Sequence, residues 1–379
     1  MWLGISGVGC FVVVSSLALW LGLPHRLLTG LSSGAAIAST LFCYVLLSLP
    51  FDLFGGYILP RRFGRSSAAF SSFAGAWLTG ILSQAILMGG SGLAILQAAR
   101  WGVFAGVASV AFLMLALLHW QGFIARISGG LRKTQVDFNL LADALNQWGI
   151  PVPVLAVYES SDPGFVGGIV GLPGREQVII PSAWLSKAQF PSQVAAVQVA
   201  RRVGVLATGA RTRGVCLAVI WNLAGFFIAS QMPGSDLAGA PGLITVALWF
   251  TLWSFVGLLL LPSASRPGVF EADRFVLDRG VSRSSIEQTI SVLDRMQDDE
   301  PERTRWIERI FHPVPSNSSR LEFLSRQRVS ATGGGDPVTG AWQGARTALF
   351  LSWACLGFLG RAVHCNSGRS ELWVLFPGD

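Results

Sequence analysis

Seven apolar runs along the chain are long enough, or nearly long enough, to cross a lipid bilayer as helices. They cover about 2–23, 34–54, 69–97, 100–120, 214–232, 241–261 and 343–363. A helix needs about 20 such residues to span the hydrocarbon core. Trp20, Trp101, Trp120 and Trp342 lie near proposed ends, where interfacial aromatic residues are common. The pattern predicts a mainly α-helical membrane protein with about seven transmembrane helices.

Two polar regions, roughly 122–213 and 262–342, interrupt these runs. In the first, the segment VDFNLLADALNQWGI has helical periodicity, whereas VPVLAVYES and FVGGIVGLPGREQVII are strand-like and bounded by Pro and Gly turns. The second begins with amphipathic helical sequence and ends in the Gly-rich stretch ATGGGDPVTG, which is typical of a flexible linker. We expect both regions to form one small α+β domain on the same side of the membrane.

The predicted organisation follows from these runs. Residues 1–121 hold helices one to four, 122–213 the first α+β region, and 214–261 helices five and six. Residues 262–330 complete the polar domain, 331–342 form the linker, and 343–379 hold the last helix and a tail.

Composition and charge agree with a membrane protein. Half of the residues are apolar (51%), 13% are charged, and the mean hydropathy is +0.53. The net charge of +7 comes mainly from arginines at the ends of apolar runs, so we expect a lipid bilayer as partner and no nucleic-acid binding. Arginines follow the second and fourth runs, which predicts that the N-terminus and the polar regions are in the cytoplasm and the C-terminal tail is outside. We expect the membrane to be a bacterial inner membrane.

Five stretches, in a fixed order, carry a resemblance to a known family. They are LPFDLFGGYILPRRFGRSS, GFVGGIVGLPGREQVIIPSAWL, FPSQVAAVQVARRVG, SRPGVFEADRFVLDRG and FHPVPSNSSRLEFL, which together extend over about 45–324. They are similar to segments of integral-membrane zinc metallopeptidases of the HtpX and CaaX prenyl protease type. The resemblance implies a metallopeptidase-like cytoplasmic domain, a zinc cofactor, and a role in membrane-protein quality control or prenyl-protein processing.

The helix predicted at 192–209 resembles the family's catalytic helix but lacks its HExxH residues. By resemblance, the two histidine positions fall on Ala200 and Gly204, the general base on Arg201, and the glutamate ligand on Val269. Alanine, glycine and valine side chains offer no lone pair to a metal, and arginine cannot accept a proton near neutral pH. We therefore predict no catalytic residue and no zinc or other cofactor.

Several residues are candidate contacts around this degenerate site: Arg201, Arg202, Glu271, Asp273, Phe165, His312 and Arg320. One arginine of the 201–202 pair either fills the former zinc position and pairs with Asp273 or Glu271, or both arginines point to water; both alternatives stay open. Asp273 is either a carboxylate left over from the metal site or a helix-start residue. Phe165 either lines a remnant peptide groove or packs under a turn, and His312 is expected in a packed turn.

Three functions follow from the sequence. The first is a catalytically inactive homologue that binds or regulates membrane proteins or peptides without cleavage. The second is an active zinc metalloendopeptidase with a non-standard site. Such a site would have to draw its histidine ligands from the four in the chain, which are far apart in the sequence. The third is a structural subunit of a membrane complex.

Overall fold

The computed structural model describes residues 2–64, 66, 68–160, 162, 164–186, 190–297, 304, 306–308, 312–327, 339–363 and 370–375. The predicted linker at 331–342 lies mostly outside these residues. The chain forms two compact units. Unit 1 comprises Met1–Gly130, Ala218–Gly257 and Ala348–Val374, and unit 2 comprises Leu131–Leu217, Leu258–Thr347 and Leu375–Asp379.

Unit 1 is built from apolar helices. They are α1 (Trp2–Trp20), α2 (Leu23–Leu28), α3 (Ser33–Leu53), α4 (Leu59–Arg62), α5 (Phe70–Ala99), α6 (Val103–His119) and α7 (Gln121–Ser128). Most of α10 (Ala210–Ser230) and of α11 (Ala240–Ser265) also belongs to it. Gly22 adopts a left-handed φ of 63°, which lets the chain turn after α1.

Five helices in the described residues are long and apolar enough to cross a membrane, or six if α6 and α7, bent by 67°, count as one span. These six correspond to the first six predicted runs, so the count of seven is not confirmed. Over 343–363 the chain forms α15 (Gly344–Leu351), a 3-10 turn (Ser352–Cys355), a left-handed residue at Leu356 with φ 56°, and α16 (Leu359–Ala362). Because every residue from Ala348 to Arg361 is buried, protein surrounds this apolar run.

Unit 2 combines a small sheet with helices. The strands are β1 (Arg132–Thr134), β2 (Leu155–Glu159), β3 (Gly168–Val170) and β4 (Gln177–Pro181), in the spatial order β1-β2-β4-β3. The β2–β4 pair is parallel and the other two pairs are antiparallel. The helices are α8 (Asn139–Gln147), α9 (Ser192–Ala207), α12 (Pro267–Asp278), α13 (Arg283–Gln297) and α14 (Asn317–Gln327).

Helices α9 and α12 place the candidate site. Gly209 follows the end of α9 with φ 73°, the left-handed conformation that often terminates helices. Pro267 begins α12, where a missing N–H costs nothing. Every residue of α9 from Val194 to Val205 is buried, so this helix lies in the core of unit 2 and any polar side chain it carries must find a partner there.

Candidate functional site

The positions that correspond by resemblance to zinc ligands lie where α9 packs on α12. Ala200 is 0% exposed and Val269 is 1% exposed, and both belong to the apolar core. A β-carbon built on Gly204 would lie 2.6 Å from Cδ1 of Phe275. The ring of Phe275 therefore lies directly against the backbone of α9, and any side chain at position 204 would displace it.

Arg201 is buried in this interface and pairs with Asp273. Its Nε donates a hydrogen bond to Oδ1 of Asp273 at 2.7 Å, and its Nη1 donates to Oε1 of Gln198 at 2.6 Å. The side chain of Arg201 is 1% exposed and that of Asp273 is 0% exposed. Of the two alternatives left open by the sequence, the pairing with Asp273 is confirmed.

Arg320, on α14, completes a buried cluster of charges. Its Nε donates to Oδ2 of Asp273 at 2.9 Å, and its Nη2 donates to Oδ1 at 2.8 Å. Both carboxylate oxygens of Asp273 thus accept charge-assisted bonds from two guanidiniums. We call Arg201, Asp273 and Arg320 the charge cluster; it joins α9, α12 and α14 inside unit 2.

Arg202 is also buried, but it bonds to the backbone. Its Nη1 donates to the carbonyl of Ile179 at 2.8 Å and its Nη2 to that of Val166 at 2.7 Å. Its guanidinium carbon lies 5.6 Å from the ring centroid of Trp184, within range of a cation–π contact. Arg202 therefore ties α9 to β4 and to the segment before β3.

Glu271 belongs to a separate ion pair. Both of its carboxylate oxygens accept from Nη2 of Arg213 at 2.8 Å, and the side chain of Arg213 is 40% exposed. Glu271 thus does not pair with Arg201 or Arg202, contrary to one sequence alternative. The helix-start interpretation of Asp273 is also wrong, because α12 begins six residues earlier at Pro267.

Phe165 does not line an open groove. It is 3% exposed, and all three residues of the neighbouring strand β3 are buried. The interpretation of Phe165 as a packed core aromatic is therefore the one that the structure supports, and β3 presents no exposed edge to a peptide.

His312 lies four residues after Glu308, an acidic residue with partners of its own. Its backbone N–H donates to the carbonyl of Glu308 at 3.2 Å, and the carboxylate of Glu308 accepts from Arg266 at 2.6 Å. Burial by itself raises the pKa of Glu308. Hydrogen bonds from Ser316 and Ser319 and the charge of Arg266 together lower the pKa by more than burial raises it, so the pKa lies below its ordinary value. His312 itself is half-buried.

The residues at the degenerate site do not fit a zinc ion. The side chains at the three ligand positions carry no lone pair, and the permanently charged Arg201 lies beside them, where it would repel a divalent cation. Among the described residues, no three His, Cys, Asp or Glu side chains come together at a spacing that could hold a metal. The side chains around Ala200 and Val269 therefore offer no support for a zinc-dependent step at this position.

Two partners in the site were not foreseen from the sequence. Gln198 is three residues before Arg201, so both lie on one face of α9, and this spacing could have indicated their hydrogen bond. Nothing in the sequence indicates the contact of Phe275 with Gly204, because this contact depends on how closely α12 approaches α9.

Comparison with known proteins identifies the fold. No family model matches the sequence, and no curated protein matches it either. The crystal structure of S. mikatae Ste24p is similar, with a TM-score of 0.62 over 83% of this chain and 80% of that chain, at 14% sequence identity. This chain therefore has the fold of Ste24p and is a mainly helical, multi-pass membrane protein.

Proposed function

We propose that this chain is a catalytically inactive relative of the membrane zinc metallopeptidases, and that it binds or regulates membrane proteins or peptides without cleaving them. One observation carries the proposal. At the position where the resemblance puts the general base, the chain has Arg201, and this side chain is fixed by Asp273 and Gln198 inside the core of unit 2.

Hydrolysis by a zinc peptidase needs a metal-bound water and a nearby group that takes its proton. Arginine stays protonated at any physiological pH, so Arg201 cannot be that group. Ala200, Gly204 and Val269 cannot hold the ion. In place of a site for chemistry, the chain has the charge cluster, which joins α9, α12 and α14.

The packing around Gly204 is a second observation that supports an inactive protein. A histidine at this position would collide with Phe275, whose ring fills the space beside the α9 backbone. Restoring a zinc site would thus require changes in both α9 and α12, because the core of unit 2 is packed without side chains that bind zinc.

The binding role is supported by an apolar surface on unit 2. Val136, Phe138, Leu140, Val152 and Val154 are between 37% and 66% exposed. The antiparallel pairing of β1 with β2 brings the segment after β1 beside the segment before β2, so these side chains lie in two neighbouring stretches. Exposed apolar patches of this kind mark interaction surfaces in many proteins.

Metal content separates the proposal from an active peptidase. The protein is purified in mild detergent, stripped with a chelator, reloaded with zinc, and assayed for zinc per chain and for cleavage of an unfolded membrane-protein substrate. We expect well below one zinc per chain and no cleavage that phenanthroline abolishes. One zinc per chain together with phenanthroline-sensitive cleavage would establish the non-standard peptidase instead.

Site-specific crosslinking tests the binding role. A photo-reactive amino acid is placed at Val154, which is 66% exposed, with a matched control at Glu322 on the exposed face of α14. We expect intact, uncleaved membrane proteins or peptides crosslinked at Val154 and not at Glu322. One constant partner in stoichiometric amount would favour a structural subunit, and no adduct at Val154 would contradict a binding role for this surface.

The cytoplasmic orientation of the N-terminus and of unit 2, in a bacterial inner membrane, belongs to the same proposal. The orientation is supported by the arginines that follow the second and fourth apolar runs.

A further inference from the structure

The C-terminal part of unit 1 does not cross the unit once but turns back inside it. We call the described residues 348–363 and 370–374 the C-terminal hairpin; its first limb is 348–356, and its second limb is 357–363 with 370–374. The carbonyl of Ala348 accepts a bond from Asn222, in the middle of α10, at 2.9 Å. Eight residues later, the side chain of Leu356 lies against Gly92, seven residues before the end of α5. The first limb therefore runs toward the Gly92 end of unit 1.

The second limb returns along α5. Phe358 donates its N–H to Oγ1 of Thr251 at 3.3 Å, and Arg361 donates to Oε1 of Gln84 at 3.4 Å. A β-carbon built on Gly80 would lie 2.6 Å from Oγ of Ser370 and 3.1 Å from the ring of Trp373. The contacts on α5 thus move from 92 to 84 to 80, a return of about 18 Å at 1.5 Å per residue.

Described residues near the two chain termini lie at the same end of unit 1. The carbonyl of Val363 would lie 3.9 Å from a β-carbon on Gly4, near the start of α1. The carbonyl of Val374 accepts from Gln121, the first residue of α7, at 2.9 Å. Since α7 follows the fourth predicted span, Val374 lies where that span ends, and Val363 lies where the first span begins.

A buried ion pair holds the second limb. Nε of Arg361 lies 3.4 Å from Oδ2 of Asp52, near the end of α3, and both side chains are at most 5% exposed. The same Oδ2 accepts from Nε1 of Trp77 at 2.9 Å. The guanidinium carbon lies 4.7 Å from the ring centroid of Tyr44 and 5.6 Å from that of Trp373. A charge at membrane depth is costly unless it is paired in this way.

From these contacts we propose that the C-terminal hairpin is a re-entrant plug that fills the interior of unit 1, that the Asp52–Arg361 pair is its latch, and that the C-terminus lies on the same side of the membrane as the N-terminus. The proposal replaces the expectation of a seventh span and of a C-terminal tail on the outside. It does not depend on the peptidase resemblance.

The irregular backbone of the hairpin fits this role. Non-helical backbone is tolerated at membrane depth only where protein or a water-filled cavity covers it, because lipid cannot satisfy its N–H and C=O groups. The 3-10 turn and the left-handed Leu356 are fully buried. Glycines let the hairpin approach the helices closely: a β-carbon on Gly129 would lie 2.5 Å from Cβ of Glu371.

Cysteine labelling tests the topology. In a cysteine-free chain, single cysteines are added after Asp379, at Ser66 between α4 and α5, and at Leu31 between α2 and α3, and sealed vesicles are treated with a membrane-impermeant maleimide. We expect the C-terminal cysteine to react from the same side as Ser66→Cys and from the side opposite to Leu31→Cys. Labelling of the C-terminal cysteine together with Leu31→Cys would overturn the re-entrant assignment.

Cys355 reports on the latch, because it lies in the turn of the hairpin and is 0% exposed. The other four cysteines are replaced by serine, and labelling of Cys355 by a membrane-permeant maleimide is timed in proteoliposomes. Removing one partner of a buried ion pair is strongly destabilising, so Asp52→Asn is expected to accelerate labelling by about tenfold or more.

The exchanged pair, Asp52→Arg with Arg361→Asp, is the control against general misfolding, and it is expected to return labelling toward the rate of the parent chain. Equal rates of Cys355 labelling for Asp52→Asn and the parent chain would show that the Asp52–Arg361 pair does not hold the hairpin. An exchanged pair that reacts as fast as Asp52→Asn, in a chain that still elutes as a single species, would also contradict it.

Discussion

Replacing Asp273 by asparagine is expected to destabilise unit 2 severely, although the two side chains have nearly the same volume. The change removes the carboxylate that Arg201 and Arg320 contact through three N–H donors at 2.7–2.9 Å. Two guanidiniums, at 1% and 3% exposure, would then share a core without a counter-ion. Removing one partner of a buried pair costs about 3–5 kcal/mol.

The loss is large relative to the stability of a typical domain, about 5–15 kcal/mol. For a unit of this size, 1 kcal/mol lowers the unfolding temperature by about 2–4 °C, so the expected decrease is roughly 6–20 °C. The assay is intrinsic tryptophan fluorescence during heating in mild detergent. Trp184 and Trp342, both buried in the same core, supply the signal from unit 2.

Glu271→Gln is the matched control, since it removes the same charge from the same helix two residues away. Its partner Arg213 is 40% exposed, and such pairs contribute at most about 1 kcal/mol. Replacing the whole charge cluster by apolar residues, with Arg201→Met, Asp273→Leu and Arg320→Met, is expected to recover most of the stability. Equal unfolding temperatures for Asp273→Asn and Glu271→Gln would refute the assignment of a buried cluster.

Three further predictions concern the surroundings of the cluster. Gly204→Ala is expected to lower the free energy of unfolding by about 1–3 kcal/mol, because the added methyl group overpacks against Phe275. The double variant with Phe275→Ala should lose less stability than the sum of the two single changes, as measured by thermal unfolding. Arg202→Met leaves two buried carbonyls without their donor, with an expected loss of about 1–3 kcal/mol per group, whereas Arg202→Lys should lose less; denaturant unfolding compares the two. Because the pKa of Glu308 is lowered on folding, its carboxylate stabilises the protein above its ordinary value of 4.5, and this contribution is lost as the pH falls through the lowered pKa. Glu308→Gln should therefore show a smaller fall in unfolding temperature on acidification than the parent chain, and an equal fall would contradict this role.

The sequence predicted the membrane class and the helices that are long and apolar enough to span, which number five in the described residues, or six if the bent α6–α7 pair counts as one. Apolar runs of bilayer length between arginine-rich ends have few other structural solutions. It could not distinguish the C-terminal hairpin from a spanning helix. An apolar run that is buried against protein has the same composition as one that faces lipid, and the contacts that bend it at Leu356 come from helices far away in the sequence.

By itself, the sequence determined that the positions which correspond by resemblance to metal ligands carry alanine, glycine and valine, and that the position which corresponds to the base carries arginine. That conclusion is local, because a side chain without a lone pair cannot bind a metal in any fold. Only the tertiary structure decided how the chain uses the two neighbouring arginines. Successive residues of a helix point about 100° apart, so Arg201 meets a carboxylate on α12 while Arg202 meets the carbonyls beside the sheet.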